Sequence, residues 1–385
     1  MGCKNIVILG STGSIGINTL KVVERYPERF KVVGLTAYNN FKLLEKQAKK
    51  FQPTHLGVSD KGVAYLKKKI SSGKTKILSV NRDLESIVSL KNVDVVVIAM
   101  RGAGALGPFL AAVRSGKIVA PANKEALVMA GDIIMQEARE HGATIVPIDS
   151  EQSAIFQCLN GQKRSELKKV FLTASGGALL NVPKSKFNGL TVGQILSHPR
   201  WKMGKKITVD SATMMNKGFE VIEAQKLFNL KTDEIDVLIH PEAIIHSMVE
   251  YVDGSIIAQL GITDMRLPIQ YALTYPDRLD SGLKSMNFVE LKKLTFKKPD
   301  YKKFPALELA YYALKKGGSL PCVLNAADEE AVESFLEGIL NFNSIYDVVA
   351  KVVRNHKIVS SPSIKQIMDA DIWAREETRK VMSQL

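Results

Sequence analysis

The sequence predicts an α/β protein with an N-terminal Rossmann-type doubly wound parallel sheet, a central α+β domain and a C-terminal helical bundle. Two observations set this class. Short β-branched apolar runs alternate with longer amphipathic stretches as far as Asp149, the pattern of parallel strands covered by helices on both faces. Towards the C-terminus apolar residues recur instead at helical spacing, as at Leu307, Ala310, Tyr311 and Leu314.

Taken in order, the N-terminal strand runs are Asn5 to Leu9, Lys31 to Thr36, His55 to Ser59, Lys76 to Val80, Val93 to Met100, Lys117 to Ala120 and Ala143 to Asp149. Helices such as Ser14 to Arg25 and Lys124 to His141 lie between them. From Ser150 to about Tyr275 the pattern mixes: a helix over Gln152 to Leu159, a strand over Lys169 to Ala174, a polar loop around His198, and a helix over Thr213 to Phe228. Strand-like Ile235 to Ile239 and Ser255 to Leu260 complete this part. Pro276 and the lysines after it read as a linker. The remaining helices are Leu307 to Leu314, ended by Gly317 and Gly318, then Ala326 to Leu340, Ser344 to Asn355 and Ser363 to Leu385. The expected domains are 1–149, 150–275 and 304–385, joined by the linker 276–303, and 385 residues suit two or three domains of about 150 residues each.

Composition narrows the function. The chain is 45% hydrophobic and 24% charged, which excludes a disordered or fibrous protein. Its longest apolar run, Val93 to Met100, is interrupted by Asp94 and falls far short of the roughly 20 residues of a membrane span. The stretch Ile6 to Leu9 is too short for a signal-peptide core, and three scattered cysteines suit a reducing compartment, so a cytoplasmic protein is expected. Fifty-three basic against 39 acidic residues leave a net charge of +14, which favours anionic partners. The lysines are spread along the chain rather than gathered with aromatics, so a phosphorylated small substrate is expected and nucleic acid is not.

Several places carry candidate chemistry. Directly after the first strand, Gly10-Ser11-Thr12-Gly13-Ser14-Ile15-Gly16 opens a helix, where glycines admit close backbone approach and free N–H groups meet a pyrophosphate. The second strand ends in Thr36-Ala37-Tyr38-Asn39-Asn40-Phe41-Lys42 without the carboxylate that a free ribose 2′-hydroxyl would call for. That absence, with Lys42 behind it, favours NADP over NAD. Two later strands deliver Asn123-Lys124-Glu125 and Asp149-Ser150-Glu151; the paired carboxylates suit Mg2+ or Mn2+, or else Asp149 and Ser150 cap the following helix. The spacing of Ser211, Asn216, Lys217 and Glu220 puts them near one end and one side of a helix, the hydroxyl, amide and ammonium set that a phosphate needs, and Ser175-Gly176-Gly177 is a second anion nest. His198, with Trp201 and Met203 in a glycine-flanked loop, is either a mobile lid or a surface histidine; His240 and His246 read as structural.

In chain order, Gly-Ser-Thr-Gly-Ser-Ile-Gly, Ala-Asn-Lys-Glu, Asp-Ser-Glu, His-Pro-x-Trp-x-Met-Gly and Ser-x-Thr-Met-Met-Asn-Lys-Gly-x-Glu resemble the 1-deoxy-D-xylulose 5-phosphate reductoisomerase family over nearly the whole chain. The resemblance implies NADPH- and divalent-metal-dependent rearrangement and reduction of a sugar phosphate to 2-C-methyl-D-erythritol 4-phosphate, an isoprenoid precursor, by a homodimer. It implies further that Thr12, Gly13, Ser14, Ile15, Asn39, Asn40, Asn123, Glu125 and Gly204 meet NADPH. Asp149, Glu151 and Glu220 would hold the metal. Ser175, Ser211, Asn216 and Lys217 would clasp the substrate phosphate, Lys124 and Ser150 would contact its oxygenated carbons, and His198 and Trp201 would belong to a flap over residues 198–204. Two departures stand out: Tyr38 and Asn39 occupy the places of a glycine and a basic residue, and Glu242-Ala243 replaces Gln-Ser. Semialdehyde dehydrogenases share the glycine turn but need a nucleophilic cysteine, whereas Cys158 lies inside an apolar helix. A non-catalytic NADP sensor or a nucleic-acid binder is the alternative from outside the enzymes.

Overall fold

The computed structural model describes residues 2–70, 73–197, 201 and 203–385. Backbone contacts divide the chain into two compact units: Met1–Ala126, Asp132–Ser153 and Asp264–Lys284 form the first, and Leu127–Gly131, Ala154–Thr263 and Ser285–Leu385 the second.

The first unit holds seven strands: β1 (Lys4–Leu9), β2 (Phe30–Ala37), β3 (His55–Val58), β4 (Lys76–Ser79), β5 (Val95–Ile98), β6 (Ile118–Pro121) and β7 (Thr144–Ile145). All pairs are parallel, in the order β4-β3-β2-β1-β5-β6-β7. Being covered on both faces, the strands read as unbroken apolar runs: Ile6, Val7, Ile8, Leu9 and Val95 to Ile98 are fully buried. From β1 the chain winds outward through β2 to β4 and then returns to the far side of β1 to lay down β5 to β7. The winding reverses between β1 and β5, and a ligand crevice belongs beyond the C-terminal ends there.

The run expected as a strand over Ala143 to Asp149 keeps only two residues of regular ladder. Pro147 has no N–H to donate, although Val146 and Ile148 still bond the carbonyls of Val119 and Pro121 at 2.9 Å each. The alignment with β6 thus continues up to Asp149. The first unit also takes in the late helix Arg266–Thr274 and the segment after it: Lys4 Nζ donates to the carbonyls of Leu273 and Tyr275 at 3.0 Å each, and Arg29 pairs with Asp277 at 3.1 Å. Asp277, within the stretch read as a linker from residue 276, is therefore tied to Arg29 just before β2.

In the second unit, β8 (Leu167–Ala174), β9 (Ile235–Ile239), β10 (Ile245–Tyr251) and β11 (Ile256–Leu260) form a sheet ordered β11-β10-β8-β9, antiparallel except for β8 with β9. Strand β10 is absent from the sequence reading. The helices Ala306–Lys316, Leu320–Leu336, Phe342–Asn355 and Ile364–Met382 supply the C-terminal bundle, and one apolar core runs from Val170 and Leu172 of the sheet to Val349 and Ala374 of the helices. Gly218 lets the helix Met215–Phe228 press against Ala306–Lys316, since a Cβ there would lie 2.5 Å from that of Ala310. Among the described residues no helix is long and apolar enough to cross a membrane. Phe109, fully buried in the helix Leu106–Arg114, tests how far the parallel sheet depends on its helical cover. Phe109→Ala is expected to cost about 3–5 kcal/mol, measured by denaturant unfolding.

Candidate functional site

In the first unit β1 ends at Leu9 and the chain turns at Gly10, whose φ of +83° belongs to the left-handed region. A Cβ on Gly10 would stand 2.6 Å from the carbonyl oxygen of Ala99, just past β5, and one on Gly16 would stand 2.4 Å from the carbonyl oxygen of Gly10. The turn is therefore packed backbone to backbone at the reversal of strand order. Gly13 is the N-cap of the helix Ser14–Arg25 and supplies no side-chain cap. Gly13 N donates to the Gly10 carbonyl at 3.1 Å, and no side chain caps the first turn of the helix, where Thr12, Gly13, Ser14 and Ile15 are expected to meet a pyrophosphate. Beyond β2, Asn39 and Asn40 are exposed. Asn40 has a structural task as well: its Oδ1 accepts from Leu43 N at 3.2 Å and caps the helix Phe41–Phe51, whose first turn holds Lys42 and no acidic residue.

Beyond β6, Asn123 is buried and fixed on both sides. Its Oδ1 accepts from Ala126 N at 2.8 Å, capping the helix Lys124–Glu140, and its Nδ2 donates to the carbonyls of Met100 and Gly102 at 3.0 and 3.3 Å. Glu125 accepts from Gly102 N at 3.4 Å. Lys124 is the first residue of the capped helix, and its Nζ lies 3.0 Å from Asp149 Oδ2, both side chains nearly buried. Asp149 Oδ1 accepts from Glu151 N at 3.2 Å, and Ser150 Oγ donates to Glu151 Oε2 at 2.5 Å. The capping reading of Asp149 holds: one oxygen caps the helix Ser150–Leu159 while the other faces the Lys124 ammonium.

In the second unit, the helix expected from Thr213 onward is two helices, Lys205–Thr213 and Met215–Phe228, broken at Met214, which adopts φ +66°. Ser211 therefore sits on the preceding helix, a correction to its placement beside Asn216 on one helix face. The nest after β8 meets it from the other side: a Cβ on Gly177 would lie 2.4 Å from the carbonyl oxygen of Ser211, and Gly177 N donates to Ser175 Oγ at 3.4 Å. Asn216, Lys217 and Glu220 do share a face. Asn216 Nδ2 donates to Glu220 Oε1 at 2.6 Å and Lys217 Nζ pairs with Glu220 Oε2, with Lys217 and Glu220 both buried. Gly204 is the N-cap of the helix Lys205–Thr213. Trp201 lies with its ring 6.3 Å from that of His246, and His198 lies outside the described residues.

The buried cluster around Lys206 escapes the sequence reading. Lys206 Nζ bridges Asp210 Oδ2 and Asp328 Oδ2 at 2.7 Å each, both carboxylates buried, and rests 4.7 Å from the Phe219 ring centre. The i,i+4 spacing of Lys206 and Asp210 was a signal; Asp328 comes from a distant helix. His240, fully buried, accepts from Ile244 N and Ile245 N at Nε2 and lies 2.9 Å from the Thr295 carbonyl at Nδ1, the structural histidine expected. Burial pushes the Cys158 thiol up to about 11, so it is not a poised nucleophile.

Burial, and then the nearby Asp328 carboxylate, raise the Asp210 carboxyl well above the usual carboxylate range. The folded state thus holds a proton that the unfolded chain releases near pH 4, and this group's contribution to stability falls as pH rises from there through the elevated value. Thermal melts at several pH values should show that Asp210→Asn removes this decline, its advantage over the parent growing from pH 4 towards neutrality.

Models of known families match the chain in three segments: residues 6–131 match 1-deoxy-D-xylulose 5-phosphate reductoisomerase, 145–228 the C-terminal domain of that enzyme, and 260–377 the DXP reductoisomerase C-terminal domain. A 1-deoxy-D-xylulose 5-phosphate reductoisomerase of Endomicrobium trichonymphae is 48% identical over 385 residues, spanning 99% of this chain and 100% of its own, and one of Geobacter metallireducens is 48% identical over 380, spanning 98% and 99%. Among solved structures, the enzyme from Zymomonas mobilis in complex with NADPH superposes with a TM-score of 0.93 at 38% identity over the full length of both chains. A DOX-P reductoisomerase in complex with NADPH, fosmidomycin and magnesium does so with 0.93 at 40% identity, over 99% of this chain and 98% of that one.

Proposed function

Because the chain belongs to the 1-deoxy-D-xylulose 5-phosphate reductoisomerase family, we propose that it rearranges and reduces 1-deoxy-D-xylulose 5-phosphate to 2-C-methyl-D-erythritol 4-phosphate with NADPH and a divalent cation, Mg2+ or Mn2+. The observation that carries the reading is Glu220: a buried carboxylate held by an amide and an ammonium near the start of a helix, in a family whose solved relatives include complexes with NADPH and magnesium.

The residues fit both groups. Gly10 and Gly16 let the turn pack backbone to backbone, where a Cβ would clash, and the uncapped helix start supplies N–H donors to a pyrophosphate, with Asn39, Asn40, Asn123, Glu125 and Gly204 as further contacts. The resemblance assigns the metal to Asp149, Glu151 and Glu220, an all-oxygen set of carboxylates that suits a hard cation and not zinc. When bound, the cation draws electron density from adjacent oxygens of the keto sugar, and NADPH supplies the hydride that reduces the rearranged aldehyde.

The chain's own groups do the rest. Ser175, Ser211, Asn216 and Lys217 hold the substrate phosphate, whose binding energy positions carbons several bonds away. Lys124 Nζ, fixed by Asp149, and Ser150 Oγ meet the oxygens on the reacting carbons, where the ammonium can hold a proton against developing negative charge. Trp201 helps to keep water from the intermediate; His198, assigned by the resemblance to the same role, lies outside the described residues. In this reading 1–149 binds the dinucleotide and 150–275 carries the catalytic groups. Edge strand β11 exposes Ile256 and Ile257, which supports pairing with a second copy of the chain as a homodimer, and free Cys3, Cys158 and Cys322 support the cytoplasm.

The test is NADPH oxidation with 1-deoxy-D-xylulose 5-phosphate, with and without Mg2+ or Mn2+, and identification of the branched product by NMR. No metal-dependent oxidation by folded protein would refute the reading. Glu220→Gln should lower turnover about 100-fold or more, the scale on which carboxylates at metal sites matter, while NADPH affinity measured by fluorescence stays unchanged. Cys158→Ala should remain active, as a dehydrogenase with a cysteine nucleophile would not.

A further inference from the structure

Two buried residues outside every role so far converge on the glycine turn. Gly10 N donates to Thr36 Oγ1 at 3.0 Å, and Ser11 N donates to the Thr36 carbonyl at 2.8 Å. On its other side Ser11 is gripped twice by one side chain: Ser11 Oγ lies 2.7 Å from Gln47 Oε1, and Gln47 Nε2 donates to the Ser11 carbonyl at 2.9 Å. The Ser11 hydroxyl is also 3.2 Å from the Thr36 carbonyl, but its single proton serves the nearer Gln47 oxygen. Ser11 is fully buried, Thr36 is 3% exposed and Gln47 7%, so water cannot stand in for any of these partners.

We propose that Gln47 and Thr36 are positioning residues for NADPH, a clamp that holds Gly10 and Ser11 so that the next residues aim their N–H groups at the pyrophosphate. A glycine-rich turn pays for its close approach with freedom, and an unrestrained one would present its donors in many directions. Here the turn is pinned from three sides: Thr36 on β2, Gln47 on the helix Phe41–Phe51, and the close backbone of Ala99. The carboxamide of Gln47 suits the task because it donates and accepts at once, matching a residue that offers both a hydroxyl and a carbonyl. Neither residue touches the reacting atoms; both act through the turn.

The inference rests on NADPH being the cofactor, and the test separates the two. NADPH affinity is measured by fluorescence titration, and KM and kcat by turnover, for the parent, Gln47→Leu, Thr36→Val and Thr36→Ser. Gln47→Leu keeps the volume and removes both hydrogen bonds, so NADPH Kd and KM should rise about tenfold. Turnover at saturating NADPH and the KM for the sugar phosphate should stay near parental values. Thr36→Val should show the same split, and Thr36→Ser, which keeps the hydroxyl, should restore tight binding. If Gln47→Leu fails to fold, the two Thr36 variants decide. An unchanged NADPH Kd in Thr36→Val and in folded Gln47→Leu overturns the clamp, as does a Thr36→Ser variant no better than Thr36→Val. Failure of the parent itself to bind NADPH would overturn the functional reading instead.

Discussion

Much of this molecule answers to one constraint: a carboxylate withdrawn from water must be met by a donor or a cation. Asp149 is met by Lys124 and by the backbone N–H of Glu151; Glu220 is met by Asn216 and Lys217; Asp210 and Asp328 divide one ammonium between them. Each arrangement dictates local structure. Lys124 can reach Asp149 because Asn123 starts its helix there, and Lys217 and Asn216 can reach Glu220 because one helical turn separates them. A carboxylate has about four lone-pair sites, so oxygens already engaged by protein donors can still coordinate an ion, in positions fixed before it arrives.

The same logic in backbone form shapes the dinucleotide end. In the proposed reading the charge to be met there is the ligand's, and the donors are the N–H groups at a helix start that no side chain caps. The parallel sheet decides where that start lies, because the winding reverses between β1 and β5 and a crevice opens beyond the strand ends at such a reversal. Close packing at Gly10 and Gly16 then brings the helix start to that space, and buried hydrogen bonds from Thr36 and Gln47 hold it there.

Legibility from sequence followed the range of the interactions. The parallel strands, the glycine turn, the acidic pair after Ile148 and the triad Asn216, Lys217 and Glu220 depend on spacings of a few residues, and they stand where periodicity placed them. The break at Met214 did not show, because a left-handed methionine carries none of glycine's signal and its 2% exposure tells that packing holds it there. Strand β10 hid behind His246, Ser247 and Glu250, polar residues on a strand whose neighbours β8 and β11 supply partners on both sides. The Lys206 bridge joins residues 122 positions apart, and the Ser11–Gln47 pair 36 apart, distances that no local pattern encodes.

Charge closes the account. A net +14 spread over the surface raises the encounter rate with any phosphate and discriminates poorly among them, and salt screens it over about 10 Å at 0.1 M. Selectivity has to come from groups that salt cannot reach. The buried amine Lys217, the nearly buried amine Lys124 and the uncapped helix start at Gly13 are such groups, each held by neighbours that leave it little freedom. In the proposed reading the exposed lysines bring anions to the protein, and the few buried donors select among them.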